Sequence, residues 1–170
     1  GAEVNFGTVS AHPTVSQDGQ TLFYSAGNAP GERLYQATRL SRSEPFSAAV
    51  SLGDLVGNQA LESPSLSSDG LTLFFTVWDS AHATNDIYQA TRNNVGDPWG
   101  NVVTLSSAIN VPGYNDAQPS ISSDGLMLFF NSNRPGGFGG FDLYVATRPS
   151  PEASWEPAVN LGSQVNTADE

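Results

Sequence analysis

Pro64-Ser-Leu-Ser-Ser-Asp-Gly-Leu-Thr-Leu-Phe-Phe75 decides the fold, because this stretch occurs three times in the chain with small changes. The other two copies are Pro13–Tyr24 and Pro119–Phe130, and each copy is followed by a Tyr-x-Ala-Thr-Arg motif. The copies start about 50 residues apart, a period that is typical of blade-type β repeats rather than of helical hairpins. The sequence therefore predicts a single repeat array over residues 1–170.

Each copy predicts a sheet of four strands. The segment after each proline is too short for a helix and leads into Asp-Gly, the strongest short hairpin signal. The second segment is apolar at consecutive positions, as expected for a strand that is buried on both faces. The third strand carries the Tyr-x-Ala-Thr-Arg motif, and the fourth follows an aromatic residue: Phe46, Trp99 or Trp155. We therefore predict an all-β fold, a β-propeller with three four-stranded antiparallel blades.

The repeats divide the chain into three blades and a short preceding segment. Blade 1 covers residues 11–55, blade 2 covers residues 56–109 and blade 3 covers residues 110–170. Val4-Asn-Phe-Gly7 matches Val159-Asn-Leu-Gly162 at the end of the last repeat. Residues 1–10 are therefore predicted to be the remnant of a preceding blade's outer strand.

Three blades are fewer than the four to eight of most closed propellers. Two interpretations remain open: a fragment of a larger propeller, or a half-propeller that a second copy completes to six blades. Isolated monomers would expose apolar blade faces and strand edges, which proteins normally cover. We therefore predict self-association as a homodimer of half-propellers.

The charge of the chain excludes several classes of partner. All six basic residues are arginine and the net charge is −11, so the surface repels phosphate backbones and anionic lipids. We predict no nucleic-acid binding and, because no apolar run is long enough to span a bilayer, no membrane insertion. Cysteine is absent, so neither disulfides nor thiolate metal sites are available. No cofactor is predicted.

The divergent segments between strands are the place to look for binding residues, since loops on a rigid scaffold commonly carry them. Exposed aromatic side chains would supply stacking surface for a sugar or a partner side chain, and an arginine would supply a hydrogen-bond fork. The predicted ligand-binding residues are Trp78, His82, Tyr114, Arg134 and Phe138.

Metal binding and catalysis find little support in the sequence. Asp79, His82 and Asp86 form a weak metal candidate, but no second histidine or fixed ligand spacing supports it, and a solvated loop is favoured. Gly136–Gly140 precedes a strand in a chain without lysine, so it is not a phosphate loop. No Gly-x-Ser-x-Gly elbow occurs, and the sequence does not place two carboxylates at a working separation for glycoside hydrolysis.

Residues that recur identically in every blade are interpreted as structural. The aspartate of each Asp-Gly pair is expected to accept hydrogen bonds from nearby backbone amides, and the glycine to permit the turn. Arg39, Arg92 and Arg148 end the third strand of each repeat and are expected to pair within or between blades. The predicted structural turn residues are Asp18, Gly19, Asp69, Gly70, Asp124 and Gly125.

The Pro-x-x-Ser-x-Asp-Gly turn, the apolar second strand and the Tyr-bearing third strand resemble the WD40-like repeats of TolB-type β-propellers. The segments 131–142 and 160–170 look like the version of this repeat found in bacterial envelope proteins. The resemblance implies a periplasmic, secreted or cell-envelope location and a non-enzymatic module that binds a protein or glycan. The alternatives are a fragment of a propeller enzyme, such as a glycosidase, polysaccharide lyase or peptidase propeller, and a purely structural, self-assembling piece.

Overall fold

The computed structural model describes residues 9–27 and 31–168. Val4–Gly7, on which the predicted outer-strand remnant rests, lies outside these residues. In the described part of the chain there are thirteen strands and no helix, hence no helix able to cross a membrane. The strands are β1 Val9–Val15, β2 Thr21–Gly27, β3 Arg33–Thr38, β4 Val50–Ser51, β5 Leu55–Asn58, β6 Ala60–Leu66, β7 Thr72–Asp79, β8 Thr84–Thr91, β9 Gly100–Thr104, β10 Asp116–Ile121, β11 Met127–Ser132, β12 Asp142–Thr147 and β13 Val159–Asn160.

Twelve of these strands form three sheets of four, in the orders β1-β2-β3-β4, β6-β7-β8-β9 and β10-β11-β12-β13. All neighbouring strands within a sheet are antiparallel. The prediction of an all-β fold with three four-stranded antiparallel blades is thus confirmed. Strand β5 lies in the connection between the first and second blades, where no strand was predicted.

The innermost strand of each blade begins three or four residues earlier than the proline that was expected to open it. The pairing register shifts around a residue in the left-handed region: His12, Ser63 and Gln118 have φ values of 52°, 52° and 55°. Such a β-bulge bends the strand. The three bulge residues line a common cleft of about 230 Å³. The inner strands of all three blades therefore converge on one axis.

The Ser-x-Asp-Gly turn is built identically in each blade. In blade 2, Ser67 Oγ donates to Asp69 Oδ1 at 2.6 Å, and the same oxygen accepts the Leu71 N–H at 2.9 Å. Gly70 has φ 73°, which favours glycine. The corresponding bonds in blades 1 and 3 are made by Asp18 and Asp124. The turn aspartates and glycines therefore act in local backbone geometry.

The recurring arginine of each blade connects that turn to the outer strand. Arg92 Nε donates to the carbonyl oxygen of Gly70 at 2.8 Å, and its guanidinium lies 4.3 Å from the ring centroid of Trp99. Arg39 and Arg148 make the same pair of contacts in their own blades. Cation–π contact of this kind stabilises the outer strand, whose ladder is short. These arginines are therefore structural.

Two hydrophobic clusters lie between neighbouring blades. One joins blades 1 and 2 around Phe23, Leu34 and Phe75, and the other joins blades 2 and 3 around Phe74 and Phe130. Phe74 and Phe75 are adjacent in β7 and point to opposite faces, so they belong to different clusters. This explains the uninterrupted apolar run in the second strand: blade 2 is buried on both sides.

Candidate binding site at the loop-rich end

The antiparallel order of the blades gives the array two different ends. The tight Asp-Gly turns and the loops between third and fourth strands share one end, where Arg42 Nε donates to the Asp18 carbonyl at 2.8 Å. We call this the turn end. The loops between second and third strands, and the connections to the next blade, lie at the opposite, loop-rich end. All five predicted ligand-binding residues belong to segments at this loop-rich end.

The loop expected over residues 77–86 is shorter than predicted. Strands β7 and β8 extend so far that Trp78 pairs with Asn85 and Asp79 pairs with Thr84, leaving only residues 80–83 outside the ladder. Trp78 is a half-buried strand residue, not a loop residue. Longer strands hold Asp79 and Asp86 on a rigid hairpin, so their positions are fixed more firmly than the sequence suggested.

A cleft between blades 2 and 3 brings part of the predicted site together. We call it the acidic cleft; its volume is about 250 Å³, and it is lined by Asp79, His82, Thr84, Asp86, Asn110, Pro112 and Gly113. His82 Nδ1 and Asp79 Oδ2 are 2.5 Å apart, and Asp79 Oδ1 accepts the Ala81 N–H at 2.8 Å. The His82 side chain is exposed at the rim of the cleft.

The pKa values of the two carboxyl groups in the acidic cleft are shifted in opposite directions. The hydrogen bond from His82 holds the pKa of Asp79 below its ordinary value, and the same bond raises the pKa of His82. Burial raises the pKa of Asp86, and the nearby carboxylates of Asp116 and Asp79 raise it further. The surroundings of Asp86 therefore favour its protonated form more than those of Asp79 do.

The Asp79–His82 pair predicts a measurable shift in the titration of one histidine. In NMR titrations, the midpoint of the His82 imidazole is expected to fall when Asp79→Asn removes the carboxylate, since a charged partner favours the imidazolium. Because the pKa of His82 is raised and that of Asp79 lowered, the pair stabilises the fold between the two pKa values. This contribution is lost as the pH rises through the pKa of His82 or falls through that of Asp79.

Glu44→Gln is the control for that titration, since Glu44 is an exposed carboxylate in a loop of the turn end. It should leave the His82 midpoint unchanged. An unchanged midpoint in Asp79→Asn as well would show that the 2.5 Å contact does not persist in solution.

The acidic cleft does not meet the requirements of a metal site. Over residues 9–27 and 31–168, no three His, Asp or Glu side chains are grouped so that they could hold a metal ion. Asp79, His82 and Asp86 line the same cleft, but His82 Nδ1 is hydrogen-bonded to Asp79. The weak metal candidate of the sequence therefore gains no support.

Arg134 is not the exposed hydrogen-bond fork that the sequence suggested. One of its terminal nitrogens lies 2.5 Å from Asp116 Oδ1 and also donates to the Ile109 carbonyl, while Nε donates to Ser132 Oγ at 2.9 Å. Its guanidinium lies 4.7 Å from the ring centroid of Tyr144. The side chain is only 10% exposed and that of Asp116 is fully buried. The Arg134 guanidinium is thus held within blade 3 and at its junction with Ile109, and the ligand-binding role of Arg134 stays a prediction.

Tyr114 and Phe138 lie in the segments where they were expected. Tyr114 is half-buried in the connection between blades 2 and 3, next to the acidic cleft. Phe138 is 46% exposed in the blade 3 loop, and its N–H donates to Asp142 Oδ2 at 2.6 Å. Of the two, Phe138 offers more contact surface to a partner.

Sequence reasoning missed the asparagines that close blades 2 and 3 at this end. Asn110 Oδ1 accepts the Ile87 N–H at 2.9 Å, and Asn110 Nδ2 donates to the Ile87 carbonyl at 2.9 Å. Asn166 makes the same two bonds with Leu143. The signal was present as Ile109-Asn110 and Val165-Asn166, each following Leu-x-x-x. Asn110 thus fixes the wall of the acidic cleft.

No protein-family model and no curated protein matches the chain. Solved structures do. TolB from Acinetobacter baumannii is 17% identical with a TM-score of 0.58, and the match covers 91% of this chain and 33% of that one. The endo-arabinase from Bacteroides thetaiotaomicron VPI-5482 is 18% identical with a TM-score of 0.61, covering 89% of this chain and 61% of that one. The fold is that of a β-propeller.

These matches establish the fold and leave the activity open. A Trypanosoma rangeli sialidase also matches, at 10% identity and a TM-score of 0.53, over 88% of this chain and 30% of the sialidase. The chain spans less than two thirds of the length of each of these propellers. Because the neighbours include both enzymes and TolB, the site rather than the fold must decide the function.

Proposed function

We propose that this chain is a non-enzymatic binding module whose loop-rich end binds the basic side chains of a partner protein. The proposal rests on one observation: Asp79 and Asp86 of one hairpin line the same cleft, where burial and the neighbouring carboxylates raise the pKa of Asp86. An arginine or lysine of a partner would relieve this repulsion between carboxylates and form charge-assisted hydrogen bonds.

Two aromatic side chains of the loop-rich end are added to the proposed contact surface. Tyr114 follows the cleft residues Pro112 and Gly113, and Phe138 is displayed by the neighbouring blade. Aromatic residues with charged groups beside them are the typical anchors of protein interfaces. The resemblance to envelope-protein repeats supports a location of this module in the periplasm or cell envelope.

Basic probe peptides can test the binding site directly. With an isotope-labelled chain, a hexa-arginine peptide is expected to shift the NMR signals of residues 79–86 and 110–114 more than those of the turn end. Hexa-glutamate should shift none of them, because the cleft is negative. Asp79→Asn combined with Asp86→Asn is expected to weaken hexa-arginine binding at least about tenfold, the effect of losing roughly 1.4 kcal/mol.

The matched control is Glu44→Gln with Glu152→Gln, which removes the same charge from exposed side chains of the turn end. It should leave the affinity for hexa-arginine within a factor of two. Equal weakening in both double variants would mean that the peptide responds only to the net charge of −11, and the proposed site would be wrong.

A second candidate function, glycoside hydrolysis, is favoured by the two carboxyl groups of the same cleft. Asp79 has a lowered pKa and Asp86 a raised one, which is the pattern of a nucleophile or base beside a general acid. Hydrolysis of arabinan or a sialoside by this chain, abolished in Asp86→Asn, would replace the binding proposal with an enzymatic one.

A further inference from the structure

The outward face of blade 3 exposes residues whose counterparts in the other blades are buried. Leu143 is 44% exposed, whereas Leu34 and Ile87, at the same repeat position, are fully buried. Val165 is 51% exposed, whereas its counterpart Ile109 is fully buried. In blades 1 and 2 this position packs against the next blade. Among the described residues, none covers this face of blade 3 as the next blade covers the same face of blades 1 and 2.

A polar atom on the same face lacks the partner that its counterpart has. Between blades 2 and 3, Thr76 Oγ1 accepts the N–H of Gln118, the bulge residue of the next inner strand, at 2.9 Å. Asn131 occupies the repeat position of Thr76 in blade 3. Its Oδ1 is buried and has no hydrogen-bond partner within the described residues. This unpaired oxygen belongs to the side chain at the position from which Thr76 accepts the bulge N–H of the next blade.

At the opposite side of the array, blade 1 exposes apolar residues whose counterparts in blades 2 and 3 are covered. Val15 on the inner strand of blade 1 is 51% exposed. Its counterparts Leu66 and Ile121 pack against the two inter-blade clusters. Pro13 is exposed too, although Pro64 and Pro119 at the same position are buried. The inner strand of blade 1 thus shows the surface that blades 2 and 3 use to pack on their predecessors.

We propose that the outward face of blade 3 binds blade 1 of a second copy of this chain, repeating the contact already made between blades 1 and 2 and between blades 2 and 3. In this arrangement Leu143 packs near Val15 of the second copy, as Ile87 and Ile121 share one cluster within the chain. The N–H of His12 in the second copy faces the Asn131 side chain, as that of Gln118 faces Thr76.

A contact between two different surfaces either closes a ring or continues as an open filament. The inner strands of all three blades converge on one cleft, which gives the array the curvature of a ring segment. We therefore infer that two copies close on each other through two identical contacts and form a ring of six blades.

The solution mass of the full chain tests this assembly. Sedimentation at micromolar concentration is expected to give twice the chain mass of 17.9 kDa. Leu143→Arg should yield a monomer, because it places an unpaired charge in the contact, and Val15→Asp should do the same from the other side. Leu40→Arg is the matched control, since Leu40 is 90% exposed, and it should stay dimeric. Circular dichroism of each variant verifies folding.

Mixing the two monomeric variants distinguishes this arrangement from its rivals. A mixture of Leu143→Arg and Val15→Asp chains leaves one contact unmodified and places Arg opposite Asp in the other, so dimers should reappear. If blade 3 instead paired with blade 3, the Val15→Asp chain alone would remain dimeric, and the proposal would be overturned. A monomeric wild-type chain, or an open series of higher masses, would overturn it equally.

Discussion

Replacing Arg134 with Met is expected to lower the free energy of unfolding by about 3–5 kcal/mol, the usual consequence of leaving a buried charge without its partner. The loss falls on Asp116, because its carboxylate is buried and its Oδ1 lies 2.5 Å from the guanidinium. The other oxygen accepts the Val111 N–H at 2.7 Å. Urea unfolding of the variant and the wild type measures the change.

A double variant separates the cost of the orphaned charge from the loss of packing. Arg134→Met combined with Asp116→Leu removes both charges, so it is expected to be more stable than Arg134→Met alone. His82→Ala serves as the control, because the Asp79–His82 pair lies at the surface and such pairs contribute little. A loss below about 1 kcal/mol in Arg134→Met would contradict the buried pair.

The local elements of the fold followed from the sequence because their causes are local. The Asp-Gly turns need only a side-chain oxygen two residues before an amide and a glycine at positive φ. Both conditions can be read from four consecutive letters. The arginine after the third strand is also predicted to be structural, since a residue that recurs in every blade is expected to contact a feature that all blades share. Its partners, the turn carbonyl and the aromatic ring, were not foreseen.

The candidate site was harder to predict, because it depends on how blades pack. Arg134 stands beside Pro135 and a run of glycines, which looks like an exposed loop. Its burial comes from Asp116 and Tyr144, which are distant in sequence. Trp78 was placed in a loop because no local signal shows that the β7–β8 ladder continues to Asp79. Strand ends are set by pairing between strands, which a single sequence does not display.

One repeat position can hold different side chains with different contacts in the three blades. Arg33, Asp86 and Asp142 occupy one repeat position. In blade 1 the arginine donates to the Gln59 carbonyl at 3.1 Å, and in blade 3 the aspartate accepts the Phe138 N–H. Only in blade 2 does this position open into the acidic cleft. Function therefore resides in what differs between blades, while the shared residues maintain the scaffold.

Ile87→Ala is expected to destabilise the chain by about 2–5 kcal/mol, the usual cost of truncating a fully buried aliphatic side chain. Ile87 lies in the cluster between blades 2 and 3, where it has no exposed surface. Leu34→Ala, at the same position of blade 1, should lose a comparable amount, since Leu34 is equally buried against blade 2. Urea unfolding at a low protein concentration measures both variants.

Leu143→Ala is the matched control at the same repeat position, and its result depends on assembly. At concentrations where the chain is monomeric, it should cost less than about 0.5 kcal/mol, because Leu143 lies outside both clusters. At concentrations where two copies associate, the loss should grow, since binding of a second copy adds stability to the folded state by mass action. A large loss at every concentration would show that Leu143 is already buried within one chain. A small and constant loss of stability, with a large loss in Ile87→Ala at every concentration, would show that blade 3 makes no contact with a second copy. Ile87→Ala thus reports on the core, and Leu143→Ala reports on the proposed contact.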